Sequence, residues 1–145
     1  MNSQLLQQVL RVAVTEPIAT AQPYDYADAF AVHLAWQDRD APEAWVMAGM
    51  DRLPASVERI ASLAGADEEW QVVESTEEVV RLEQSDPLMH NTLVARSIGP
   101  SRRRMTSVLR YKRQWVARAV WPVAGIVHRR AARHIITTDA SAASE

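Results

Sequence analysis

Two stretches of this 145-residue chain carry groups able to move a proton next to apolar side chains. In the first, Tyr24 to Leu34, alternation places Tyr26, Asp28 and Phe30 on one face of a strand and mostly small residues on the other. A carboxylate carried onto a core face is desolvated, which raises its pKa and suits it to general acid or base work. The competing reading is local: close to the start of a strand, Asp28 accepts hydrogen bonds from neighbouring backbone and does no chemistry. In the second stretch, Trp121, Gly125 and His128 fall together at the edge of one helical face, because residues seven apart nearly eclipse. Histidine is the usual proton carrier near neutral pH, although one that flanks an apolar stripe is often partly exposed and structural. Asp28 and His128 are therefore the catalytic candidates, and Tyr26, Phe30 and Trp121 line the ligand site around them.

Those residues need a sheet and a helix to bring them together. The spacing predicts strands at 24–34, about 70–74, 77–84, 88–98 and 102–113, with Ser85-Asp86-Pro87 and Gly99-Pro100-Ser101 as connections. A three-residue turn at 99–101 pairs Ala95 with Met105, Leu93 with Ser107, Asn91 with Leu109 and Met89 with Tyr111, all on one face. That face adds Asn91, Ser107 and Tyr111 as hydrogen-bonding candidates for a ligand. The opposite face receives His90, Thr92, Arg96, Arg104, Thr106, Arg110 and Lys112, with only Val94 and Val108 apolar, so it is expected to face solvent.

Between the first two strands, Asp40-Ala41-Pro42-Glu43 offers an N-cap, a first-turn proline and a capping-box acid. Pro54, followed by Val57, Ile60 and Leu63 before Gly65, divides 41–64 into a helical pair. From Trp115 to about Ile136, Val116, Val120, Val123, Val127, Ala131 and Ile135 form the apolar stripe of a long helix, which Trp121-Pro122 is able to bend. Arg129, Arg130 and Arg133 complement the negative pole of its dipole. Residues 137–145 read as a disordered tail, and Leu5 to Val14 fit a helix or a strand equally.

Composition removes several functions. The length and 48% hydrophobic content suit one core, so 1–136 reads as a single domain. With no cysteine there is no disulfide, thiolate metal site or thiol nucleophile. His33, His90, His128 and His134 lack metal-ligand spacing, and the four glycines make neither a phosphate loop nor a nucleophile elbow, so no metal or cofactor is expected. Residues 1–90 carry 5 arginines against 16 acids, whereas residues 91–145 carry 11 basic residues against 2 acids. Mutual neutralisation of the two halves is the favoured account. Arg102-Arg103-Arg104 reads as a solvated edge that discourages sheet pairing, not as a nucleic-acid patch, because no stacking aromatics alternate with it. The N-terminus lacks a secretory pattern, and the longest apolar stretch is shorter than the roughly 20 residues of a membrane span. A cytoplasmic location is the expectation.

The segments Asp25-Tyr26-Ala27-Asp28-Ala29-Phe30 and Trp121-Pro122-Val123-Ala124-Gly125-Ile126-Val127-His128-Arg129, with this element order, resemble the START-like helix-grip superfamily. That superfamily, also called SRPBCC, includes polyketide cyclases and lipid-transfer domains, and the chain looks like a bacterial branch of it. The resemblance implies an α+β fold, a curved antiparallel sheet with a helical pair and a long C-terminal helix packed across it. It also implies a cavity between sheet and helix that accepts a small hydrophobic or aromatic molecule. It does not imply a reaction, since the superfamily holds both enzymes and binders. The five strands counted here are fewer than it usually shows.

Two functions compete. One is ligand binding in that cavity, with at most weak cyclase- or hydratase-like turnover through Asp28 and His128. The other is a structural or interaction protein that self-associates, as a homodimer for example, through Trp36, Trp45 and Met50 near the helical pair.

Overall fold

The structure, a computed structural model, describes residues 8–55 and 69–140. The elements in chain order are β1 (Leu10–Val12), α1 (Pro17–Thr20), β2 (Tyr26–His33), α2 (Pro42–Asp51), β3 (Gln71–Ser75), β4 (Val79–Ser85), β5 (Met89–Gly99), β6 (Arg102–Tyr111) and α3 (Gln114–Ile136). The six strands form one antiparallel sheet in the order β1-β2-β6-β5-β4-β3, and α3 packs on it. The fold is α+β, as expected. The ambiguous N-terminal segment supplies the sixth strand, with Arg11 opposite Phe30.

The β5–β6 hairpin has the register that the alternation requires: Met89 opposite Tyr111, Asn91 opposite Leu109, Leu93 opposite Ser107 and Ala95 opposite Met105. Its turn is tighter than the three residues expected. The register shifts after Ser97, so that Gly99 pairs with Arg102 and the chain reverses at Pro100-Ser101. Gly99 takes a φ of 152°, where a side chain would be strained. At the β4–β5 turn, the Asp86 carboxylate accepts the N–H groups of Leu88 and Met89, both at 2.8 Å, the self-bonded turn that aspartate favours.

On one face of the sheet, Phe30, Val32, Val80, Leu82, Leu93, Ala95 and Met105 pack under Trp45 and Val46 of α2 and Ala132, Ile135 and Ile136 of α3. The other face is not simply solvated. Ala19 of α1 covers Val79, Val94 and Val108, and Thr106 is buried beside them. A four-residue helix has little packing surface of its own. Glu16 holds it in place: its carboxylate accepts Arg96 Nε at 2.6 Å and Nη2 at 3.0 Å, lies 3.5 Å from Arg104, and caps α1 at the Ile18 N–H. The Arg96 bonds lower the Glu16 pKa despite its burial.

Arg103 overturns the reading of its arginine run as a solvated edge. Strand β6 is central in the sheet, and Arg103 is on its core-facing side with no exposed surface. Its guanidinium donates to both carboxylate oxygens of Asp38, at 2.7 and 2.8 Å, and to the carbonyls of Ile136 and Thr138 at the end of α3. It also lies 4.7 Å above the Trp45 ring. This hub accounts for three further differences from expectation. Asp40 does not cap α2, whose N-cap is Ala41; it accepts the Ala140 N–H at 2.8 Å and lies 3.5 Å from Arg103. Thr138 is buried and Asp139 accepts from Arg52, so the ordered chain runs on past 136. Trp45 is fully buried and is not available for self-association, while Trp36 and Met50 also pack against the core. Pro42 takes the first helical turn as expected, and the second helix of the expected pair lies outside the described residues.

Helix α3 has the expected length but a different buried face. Ala117, Gly125, Ala132, Ile135 and Ile136 are buried, with Trp121 and His128 half-buried along the same side. The valine stripe is rotated toward the flank and the outside, leaving Val123 67% exposed. Small residues let the helix approach the sheet closely, and this face also carries the aromatic and titratable groups. Among the described residues, no helix is long and apolar enough to cross a membrane.

Candidate functional site

Strand periodicity places Tyr26 and Asp28 two residues apart on the same side of β2, and the helical repeat places Trp121 and His128 on the side of α3 that faces them. The two halves meet. His128 Nε2 lies 3.1 Å from Asp28 Oδ2 and 3.4 Å from Oδ1, and the Tyr26 hydroxyl donates to Oδ2 at 2.8 Å. The Trp121 ring is 4.6 Å from that of Tyr26 and 5.5 Å from the imidazole, centroid to centroid. Asp28 is 1% exposed, whereas the His128 side chain keeps 24% of its surface open to solvent.

This geometry reverses one expectation. Burial raises the Asp28 pKa, but the hydrogen bond and charge of His128, the Tyr26 hydroxyl and the charge of Arg11 outweigh it, and the net shift is downward. Asp28 is therefore a carboxylate at neutral pH and is unsuited to acting as a general acid. Its contact with Nε2 fixes the orientation of the imidazole. Burial, together with the bond to Asp28 and its charge, raises the Tyr26 pKa and keeps the phenol protonated as a donor.

Of the other sequence candidates, Ser107 and Tyr111 adjoin this cluster, Tyr111 packing against the same group of buried residues as Tyr26 and Trp121, whereas Phe30 and Asn91 stand away from it. Ser107 is the cross-strand neighbour of Asp28 and is buried. Phe30 is fully buried in the main core, with Arg133 5.6 Å over its ring. Asn91 stands two strands from Tyr26 and donates to Gln84 Oε1 at 3.0 Å. Tyr111 packs near Met89, Leu109 and Ala117. Two cations near the cluster escaped the sequence reading. Arg11 Nη2 is 3.4 Å from the Tyr26 hydroxyl, and Arg129 folds back over Gly125, where an added Cβ would lie 2.9 Å from its Nη1. Arg129 had a usable signal, standing one helical turn beyond Gly125; the three-residue strand that carries Arg11 is too short to show alternation.

On the opposite face of the sheet, a pocket of about 80 Å³ is lined by Tyr24, Glu83, His90, Thr92 and Arg110 among others. Drug-sized ligands occupy roughly 300 Å³ or more, so this pocket suits only a very small guest. Metal-binding groups of three or more His, Cys, Asp or Glu are absent among the described residues. No protein-family model matches the chain, and neither the curated proteins nor the solved structures contain a match.

Proposed function

We propose that the protein binds a small hydrophobic or aromatic molecule between the sheet and α3, with His128 as a proton carrier oriented by Asp28. Any turnover would be weak and cyclase- or hydratase-like, in line with the START-like resemblance. The observation that carries this reading is the meeting of Asp28 and His128 from elements 100 residues apart, beside the Tyr26 and Trp121 rings. A buried carboxylate that orients a partly open imidazole is how acid–base sites hold one ring nitrogen and free the other. Tyr26 and Trp121 supply flat apolar surface for an aromatic guest.

The test begins with native and then denaturing mass spectrometry of the purified protein, to find and identify a co-purified small molecule. Ligand affinity and turnover are then compared in Asp28→Asn and His128→Ala. The expected result is turnover lost in both, with binding retained in Asp28→Asn. Unchanged affinity and turnover in both variants would end the catalytic part of the proposal.

A further inference from the structure

The outer side of α3 poses a separate question. Trp115 is 80% exposed, Val123 67% and Ile126 47%, and the intervening Ala119 and Pro122 are exposed too. At helical spacing these five residues form one ridge of about three turns, opposite the buried Ala117, Gly125 and Ala132. A tryptophan this exposed in the first turn of a helix has little packing role among the described residues.

Charge indicates what the ridge faces. Between Asp86 and Asp139 the sequence contains no acid and 11 basic residues. Of these, Lys112, Arg113, Arg118, Arg130 and Arg133 are exposed at the ends and sides of α3. An apolar ridge with tryptophan at one end and a mainly cationic border, with Asp25 bonded to Gln114 at the start of the helix, is the pattern of a helix lying in the headgroup region of an anionic bilayer. A second copy of the chain fits poorly. Antiparallel pairing of two α3 ridges would set Arg113 and Arg118 of one copy against Arg130 and Arg133 of the other, and parallel pairing would oppose identical cations. Nucleic acid fits poorly as well, because Val123 and Ile126 give a phosphate backbone nothing to bond.

We propose that the outer face of α3 is a peripheral docking surface for anionic lipid, with Trp115, Val123 and Ile126 entering the acyl boundary and the flanking arginines meeting headgroups. The docking does not depend on the ligand reading, since it uses the side of α3 turned away from His128.

The experiment is co-sedimentation of the full chain with vesicles of phosphatidylcholine alone and of phosphatidylcholine with about 30% phosphatidylserine, at about 0.1 and 0.5 M salt. Binding is expected only to the phosphatidylserine vesicles and only at low salt, with a blue shift of tryptophan fluorescence that Trp115→Ala abolishes. Affinity should fall about tenfold in Trp115→Ala and further in Val123→Ser/Ile126→Ser, with circular dichroism unchanged. Failure to sediment with the anionic vesicles would overturn the proposal. So would a dimer, seen by analytical ultracentrifugation, that Trp115→Ala breaks, or binding to a homopolymeric RNA in preference to the vesicles.

Discussion

Two buried carboxylates sit where α3 meets the sheet, and they have different partners. At the C-terminal end of the helix, Arg103 and Asp38 are 0% and 2% exposed, and the guanidinium spends its donors on a carboxylate fork and two helix carbonyls. Near the middle of the helix, Asp28 is just as buried, but its partner is a histidine with a quarter of its surface open. Arginine never loses its charge in a protein, so the first pair is a permanent fastening. The His128 side chain keeps a quarter of its surface open to solvent, whereas the Arg103 guanidinium keeps none. The same sheet–helix interface thus has one end sealed from solvent and a middle that is partly open.

The largest effect expected from breaking this contrast comes from the closed end. Arg103→Met removes the cation, and Asp38 and the Ile136 and Thr138 carbonyls lose their donor. Removing one partner of a buried pair typically costs about 3–5 kcal/mol. Urea unfolding monitored by circular dichroism should show a loss of that order. Arg103→Lys should recover only part of it, because an ammonium cannot serve a carboxylate fork and two carbonyls together. A loss below about 1 kcal/mol would mean that the hub is not the fastening described.

A smaller loss is expected where α2 touches the same end of α3. A Cβ on Gly49 would lie 2.8 Å from the Ile135 Cα and 2.9 Å from Thr138 Oγ1. Alanine favours a helix over glycine by about 1 kcal/mol, yet the contact here is with backbone that Arg103 holds in place. Overpacking of this kind costs about 1–3 kcal/mol, so Gly49→Ala should be net destabilising. A stabilised variant would show that the α3 terminus yields easily, which would blur the distinction between the two regions.

The two regions also differed in how far the sequence revealed them. The faces that carry Asp28 and His128 were legible, because each residue sits on a regular element where a period of two or of seven tells which residues share a face, but the meeting of the two residues was not. The β5–β6 register was legible for the same reason. The fastening was not. Arg103 lies in a run of three arginines, and although a period of two sets it on the face of Met105 and Ser107, the pattern names no partner for a cation there; that depends on β6 being central and on Asp38 and Asp40 reaching it from a loop. The face of α3 was misjudged by counting valines, whereas close approach to the sheet selected alanine and glycine. Glu16 and Arg96, 80 residues apart, form a contact that no local pattern encodes.

The smallest and most specific effect concerns acid. An unfolded aspartate titrates near 3.8, and in the folded chain Asp28 lies below that, because His128, Tyr26 and Arg11 favour its charged form over the opposing effect of burial. A depressed carboxyl stabilises the fold at pH values above its unfolded pKa, and this share is lost as pH falls through the folded value. Asp28→Asn should therefore be less stable than the parent at pH 7, by about 1 kcal/mol on the scale of a hydrogen bond to a charged group. The gap should narrow as pH falls below 3.8. Glu16 is lowered by Arg96 and will add its own acid sensitivity, but equally in parent and variant, so the difference between the two curves isolates Asp28. Urea midpoints from pH 7 to pH 3 provide the measurement. A gap that stays constant across that range would mean that Asp28 contributes packing alone, and that the middle of the interface is as fixed as its end.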